Sequence, residues 1–232
     1  MIKISVCVPF YRRPDLVMQT IKPLIYEDRV DEIILSDDYS PLDEYHKLIE
    51  NTKDIAKIRI VRGVRNFHVQ HAKRNAISFS KNEWCVILDN DNIIDSNFID
   101  RLYDIPQWIP DVIYHPAFAS PRFDYRIFNG MYITKENIHT ITHHDILVTL
   151  LNTNNYMCNR DAYLFNYKYD SSIRGADGIF FAYNWLMSGN QIYVVPELSY
   201  FHRVHEGSEF LNEKDNNMRL IYSWFDNIKK LR

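Results

Sequence analysis

Four short apolar runs fall within the first ninety positions, at residues 2–9, 32–36, 57–61 and 83–88. Runs of this length, rich in Val and Ile, read as buried strands. Helical stretches separate them. Pro14 sits where a first helical turn tolerates proline and opens a helix to about residue 26; Pro41 and Leu42 open another to about 54; a third covers about 68–80. The β-α-β-α-β-α-β alternation predicts an α/β fold of three layers, α/β/α, around a mostly parallel sheet.

The second half is less regular. Ser96 can cap a helix through Tyr103. Residues 112–118 and 125–133 look like strands, and 145–151 looks helical. A helix over 177–187 is closed by Gly189, and strands follow at 191–195 and 199–204. In the tail, Leu220, Ile221, Trp224, Phe225, Ile228 and Leu231 share one helical face. Such a helix more often folds back on its core, although Lys229, Lys230 and Arg232 leave peripheral membrane contact open.

Composition removes several classes. The net charge of −3 offers no global basic field for nucleic acid. Six glycines are few for a glycine-rich phosphate loop, and neither Gly-x-Gly-x-x-Gly nor Gly-x(4)-Gly-Lys is present, which weighs against dinucleotide enzymes and P-loop NTPases. Cys7, Cys85 and Cys158 are odd in number and form no Cys-x-x-Cys pair, so a reducing compartment is expected. No run approaches the roughly 18 apolar residues of a membrane span. Met-Ile-Lys-Ile-Ser runs straight into a strand without a signal peptide, so the expected location is cytoplasmic.

The chemistry sits at strand ends. The run Trp-Cys-Val-Ile-Leu stops abruptly at Asp89 and Asp91. In a parallel α/β sheet, ligands bind just beyond the carboxyl ends of strands, where bare buried acids would be costly. A hard cation or a sugar hydroxyl satisfies them. In a sheet ordered 3-2-1-4, three segments converge: Pro9-Phe10-Tyr11-Arg12-Arg13, Asp37-Asp38-Tyr39-Ser40 and Asp89-Asn90-Asp91-Asn92. An aromatic there can stack on a base, a carboxylate can accept a uracil N–H or ribose hydroxyl, and Asp-x-Asp can hold Mn²⁺ or Mg²⁺ against a diphosphate.

These segments resemble the signatures of family 2 glycosyltransferases with the GT-A fold, a Rossmann-like architecture: Val-Pro-Phe-Tyr-Arg-Arg-Pro, Ile-Leu-Ser-Asp-Asp-Tyr-Ser and Val-Ile-Leu-Asp-Asn-Asp. His71-Ala72-Lys73-Arg74-Asn75-Ala76 is similar to the family's Ala-Arg-Asn helix start. Gly175-Ala176-Asp177 is similar to its Gly-Glu-Asp segment, and Val195-Pro196 followed by His202 to its late strand. The likeness spans about residues 3–208. It implies a single domain, with a nucleotide-binding half at 1–95, an acceptor and catalytic half at 96–208, and a terminal helix at 209–232. It also implies inverting transfer of a hexosyl group from a nucleotide-sugar, UDP-sugar foremost, to a hydroxyl of a glycan, lipid-linked or protein acceptor. Three departures stand out: Tyr39 and His68 occupy positions near which glycine is common, and Ala176 replaces the usual Glu.

On this resemblance Asp177 is the base that takes the acceptor proton. Pro9, Tyr11, Arg13, Asp37, Asp38, Arg74, Asp89 and Asn90 bind the donor. Asp91, Asp89 and His202 ligate the metal, and His205 reaches the phosphates if the chain turns before Gly207. Plainer readings stay open. Asp37 and Asp38 can cap a helix, Asp177 can be an N-cap, Arg74 a solvated helix residue and His202 a core histidine. His139, His143 and His144 have spacing that suits zinc on a helix, but the poor helical sequence between them favours a surface loop. The asparagine- and tyrosine-rich stretch 152–169 is read as the acceptor surface. Two other functions remain as alternatives: a nucleotidyltransferase on a related sheet, which would normally carry a glycine-rich loop after strand one, and a non-catalytic nucleotide-sugar-binding protein.

Overall fold

The computed structural model describes residues 2–152, 155–203 and 209–231. Strands β1 (Ile4–Phe10), β2 (Val30–Asp37), β3 (Ile58–Arg62) and β4 (Trp84–Ile87) alternate with helices α1 (Pro14–Ile21), α2 (Leu42–Thr52) and α3 (His68–Ser78). Then come β5 (Ile93–Ile94), α4 (Phe98–Tyr103), β6 (Val112–Ser120), β7 (Phe123–Asp124), β8 (Tyr132–Ile133), α5 (Ile146–Thr149), β9 (Tyr156–Asn159), α6 (Arg160–Asn166), α7 (Asp177–Met187), β10 (Gln191–Phe201), α8 (Glu209–Asn212) and α9 (Lys214–Lys229).

One sheet runs β3-β2-β1-β4-β9-β6-β10-β5, with β7 on β6 and β8 on β10. Its first four strands are parallel, in the expected 3-2-1-4 order. Moving outward from β1 to β3 places α1 and α2 on one face; returning from β3 to β4 places α3 on the other, because such crossovers are right-handed. The order reverses between β1 and β4, and the crevice opens at their carboxyl ends.

Several local expectations change. The first helix stops at Ile21 and tightens into a 3-10 turn at Lys22–Leu24, since Pro23 cannot continue it. Asn97, not Ser96, stands at the N-cap of α4. Residues 125–133 are not a strand: a 3-10 turn at Arg126–Phe128 and Gly130 at φ 74° break the run before β8. The two late strands are one bent strand, β10, whose register on β6 slips between Val195 and Ser199, with Glu197 at φ 61°.

The stretch read as an acceptor surface is interior in its middle, while Phe165 and Tyr169 are exposed and Asn152 lines the cleft described below. Tyr156, Met157, Cys158 and Asn159 form β9, all buried, antiparallel to both β4 and β6. Cys7, Cys85 and Cys158 are free, buried thiols on β1, β4 and β9. The tail folds back as α9: Ile221, Trp224, Phe225 and Ile228 are buried, and the Trp224 ring packs against Phe180 at 5.7 Å and Tyr183 at 6.1 Å on α7. Burying one such aliphatic side chain stabilises by about 2 kcal/mol. Among the described residues no helix is long and apolar enough to cross a membrane.

Candidate active site

The tips of β1 and β2 are stitched together. After β1 the chain turns through two consecutive left-handed residues, Arg12 (φ 62°) and Arg13 (φ 60°). The Arg12 N–H donates to Ser40 Oγ at 2.8 Å, and the Ser40 N–H donates to Asp37 Oδ1 at 3.0 Å. Arg62 donates to the Ser40 carbonyl at 2.8 Å and lies 3.5 Å from Asp37 Oδ2. Asp37 is therefore fully enclosed and shapes the turn. It is not among the residues that line the cleft, because the Ser40 amide and Arg62 hold its carboxylate.

Asp38, the next residue, does line the cleft. It accepts the Phe67 N–H at 2.9 Å, which ties the tip of β2 to the start of α3. Burial pushes its carboxyl up to about 6, against the pull of the Phe67 and His68 N–H groups. Tyr39 (φ 64°) and His68 (φ 67°) both hold left-handed backbone, so the turns keep a glycine-like path without glycine.

The acid turn after β4 is braced from three sides. The Asp89 N–H donates to Asn155 Oδ1 at 2.8 Å. Asn92 is buried; its amide donates to Asp89 Oδ2 at 3.4 Å and its Oδ1 accepts from the Arg203 N–H at 3.2 Å. The Asn92 carbonyl accepts from Thr20 Oγ1 of α1 at 2.7 Å. Asp91 faces Arg13, whose guanidinium is 3.8 Å away.

Opposite this turn, Gly175 (φ 75°) lets the chain enter α7, and Asp177 occupies its first turn, where the helix dipole favours an anion. Between the two acids stands Lys73 of α3. Its Nζ lies 2.6 Å from Asp177 Oδ2 and 3.5 Å from Asp89 Oδ1, and the side chain is 3 % exposed. Burial alone would lower the Lys73 pKa, but the charges of Asp177 and Asp89 outweigh it and raise it. Burial pushes Asp89 up to about 6; Lys73 opposes that shift, while Asp91 and Asp177 add to it. One turn earlier, Gln70 donates to the carbonyls of Asp170 (2.9 Å) and Ile173 (2.7 Å) and accepts from the Asp170 N–H (3.3 Å), which pins the segment leading to Asp177.

The cleft has a volume of about 760 Å³ and brings Pro9, Tyr11, Arg13, Asp38, Asp89, Asn90, Asp91, Asp177 and His202 to one lining. Arg74 is not among them. It points outward from α3, with its guanidinium 5.7 Å from the Tyr167 ring. His205 lies outside the described residues. His202 enters from the end of β10, its N–H donating to the Ser120 carbonyl at 2.7 Å and its ring lying 5.5 Å from Phe123.

Among the described residues, no three His, Cys, Asp or Glu side chains close around one point. The expected Asp89–Asp91–His202 set is therefore not preassembled: Asp89 is drawn to Lys73 and Asp91 to Arg13. The two carboxylates still suit a hard cation, which can be held by one or two acids plus substrate phosphates. His139 sits in a 3-10 turn and His143 and His144 pack ring to ring at 4.0 Å, with no metal-holding group formed.

Lys73, Gln70, Asn92 and Asn155 escaped the reading of the sequence. The phase of α3 carried a signal for the first two. Ile77 is buried, so positions 73 and 70, four and seven residues before it, face inward, while 74 faces out.

No curated protein matches this sequence. Solved structures do. TarS 1–349 of S. aureus in complex with UDP-GlcNAc has a TM-score of 0.71 at 17% identity, covering 98% of this chain and 70% of that one. The same fragment in complex with UDP gives 0.68 at 18%, with coverage of 98% and 70%. S. aureus TarS in a longer form gives 0.65 at 16%, covering 96% of this chain and 39% of that one. This likeness shows the fold, and it agrees with the GT-A architecture expected from the motifs. The family model for "Glycosyl transferase family 2" matches residues 5–166, more than half of the sequence. The chain thus belongs to glycosyltransferase family 2.

Proposed function

We propose that this glycosyltransferase takes its sugar from a nucleotide-sugar, a UDP-sugar foremost, and passes it with inversion to an acceptor hydroxyl on a glycan, lipid-linked or protein substrate. The observation that carries the reading is the meeting, in one cleft at the carboxyl ends of the strands, of the acid turn at Asp89 and Asp91 with Asp177 at the start of α7. The bound UDP-GlcNAc and UDP of the matching TarS structures support the choice of donor.

Each residue then has work of a defined kind. Tyr11 is 39% exposed and offers its ring face to a base. Asp38 accepts an imide N–H or a ribose hydroxyl. Arg13 and Asn90 line the same cleft and would meet the diphosphate. Asp91, with Asp89, would hold Mn²⁺ or Mg²⁺, which neutralises charge on the departing diphosphate. Asp177 takes the proton of the acceptor hydroxyl as that oxygen attacks the anomeric carbon, and the donor's bond to phosphate oxygen breaks on the opposite side. One displacement inverts the centre. The nucleotidyltransferase alternative is disfavoured because the loop after β1 turns on Arg12 and Arg13 instead of glycines.

A thermal-shift panel of UDP-, GDP-, CMP- and dTDP-sugars with and without Mn²⁺ tests the donor, since a ligand that binds the folded state raises Tm. The UDP-sugars should give the largest shift, and donor hydrolysis should release UDP. Asp91→Ala should lower that release by about a hundredfold or more, and Asp177→Asn should lower turnover by about a thousandfold, to a residual but measurable rate, while donor still binds. No shift with any sugar nucleotide would overturn the reading. Binding without turnover in the wild type would favour the non-catalytic alternative.

A further inference from the structure

We infer that Lys73 is a positioning residue: its ammonium holds Asp177 at the cleft and couples it to the acid turn at Asp89. This rests on the reading of Asp177 as the base. The geometry is specific. One buried cation lies 2.6 Å from Asp177 Oδ2 and 3.5 Å from Asp89 Oδ1, so residues 104 positions apart on one side and 16 on the other meet at a single Nζ. A lysine ammonium offers three donors, enough to engage both acids at once. It takes Oδ2 of Asp177, which leaves Oδ1 outside that contact.

The surroundings explain why a charge is kept in the interior. Two carboxylates facing each other in a low-dielectric site repel, and a lone buried cation is equally unfavourable; together they compensate. Lys73 and Gln70 are both buried on α3, three residues apart on one face. Gln70 grips the backbone of the approaching segment at Asp170 and Ile173, whereas Lys73 grips the acid itself. Helix α3 thus acts as a splint between the tip of β4 and the start of α7. The direction of the Asp177 carboxylate relative to the donor side is set by this splint and not by α7 alone.

The test is a double-mutant cycle on Lys73→Met and Asp177→Asn, with Lys73→Arg beside it. Each variant is checked for fold by circular dichroism and Tm. The readouts are kcat and KM for hydrolysis of the UDP-sugar that gives the largest thermal shift, with MnCl₂ present. Lys73→Met keeps the stem and deletes the ammonium. It should lower kcat by about a hundredfold while KM stays within about threefold, because an orienting contact to the base is lost and most of the donor site is not. Lys73→Arg should recover part of the rate, to within about tenfold of wild type. The double variant should be no slower than Asp177→Asn alone.

The proposal is overturned if Lys73→Met folds and keeps kcat within about threefold of wild type while Asp177→Asn loses about a thousandfold. It is also overturned if the double variant is slower than Asp177→Asn by the full Lys73→Met factor. Wild-type turnover in Asp177→Asn would instead remove the base assignment. Should Lys73→Met fail to fold, Lys73→Gln, which also removes the charge, decides: a lowered kcat at unchanged KM supports the role, and wild-type values for both overturn it.

Discussion

Around the cleft, Arg12, Arg13, Tyr39 and His68 hold backbone angles that L-residues rarely adopt. Each costs on the order of 1 kcal/mol and persists because the surroundings over-determine it, as strain at functional sites does. At Tyr39 the determinants are visible: Asp37 fixes the Ser40 N–H, Arg62 fixes the Ser40 carbonyl, and the Arg62 guanidinium lies 5.2 Å from the Tyr39 ring. Replacing Tyr39 with glycine removes the strain and loses that ring contact, so stability should stay within about 1 kcal/mol of wild type. Tyr39→Val places a β-branched side chain in the same left-handed conformation and should cost about 1–2 kcal/mol more than the glycine variant in urea unfolding. The sequence marked Tyr39 and His68 as departures from a glycine pattern, which located these turns. It did not reveal that the turn geometry survives the substitution, because hydrogen bonds between separate strand tips enforce it.

Among the elements, α3 has the most to say about legibility. Its extent is evident from the sequence, but its rotation decides which residues reach the cleft, and a single step in helical phase separates an exposed Arg74 from an interior Lys73. Gln70 belongs to the same buried face and anchors residues 170–173 through three hydrogen bonds. Gln70→Ala should loosen that segment, so limited trypsin digestion should cleave at Lys168 and Arg174 several-fold faster than in wild type, with the rest of the pattern unchanged. Equal cleavage rates would show that the segment is held by other contacts. The strand β9 was invisible for a different reason. Four residues, Tyr-Met-Cys-Asn, show no alternation and little β-branching, and their environment, sealed between β4 and β6, is created only by pairing across the chain. The bend in β10 was likewise split into two strands because Pro196 and Glu197 interrupt the apolar pattern where register on β6 slips.

For the molecule as a whole, two buried titrating groups bend the pH dependence of stability in opposite senses. Asp38 keeps its proton up to about 6 in the folded state, whereas an unfolded aspartate releases it near 4. Its contribution to stability is therefore greatest below about pH 4, falls as pH rises through about 6, and then levels. His115 is buried with its Nδ1 2.6 Å from the Pro116 carbonyl oxygen, and burial lowers it to about 4. An unfolded histidine binds a proton near 6.5, so the His115 contribution is complete above that pH and is lost as pH falls toward 4. In urea titrations, Asp38→Asn should be more stable than wild type by about 2 kcal/mol at pH 7, and the gain should vanish by about pH 4. His115→Gln should lose less stability than wild type between pH 7 and about 4, the difference being about 3 kcal/mol. A pH-independent offset for either variant would place the titration elsewhere. The parallel core and its crevice were legible because each of the first four strands carries its own apolar run and its own stop. The joining of the second half was not, since it depends on pairings between distant residues, such as Trp84 with Asn159, Tyr114 with Met157 and Gln191 with Val112.

That joining has a practical side. Strand β9 is supplied by the later part of the chain yet seats beside β4, while β5, from the earlier part, closes the far margin against β10. A backbone cut between α4 and β6, at 104–111, would leave two fragments that each lack a border the other carries. They interlock like clasped hands, which makes that gap the natural place to split the polypeptide for a reconstitution reporter.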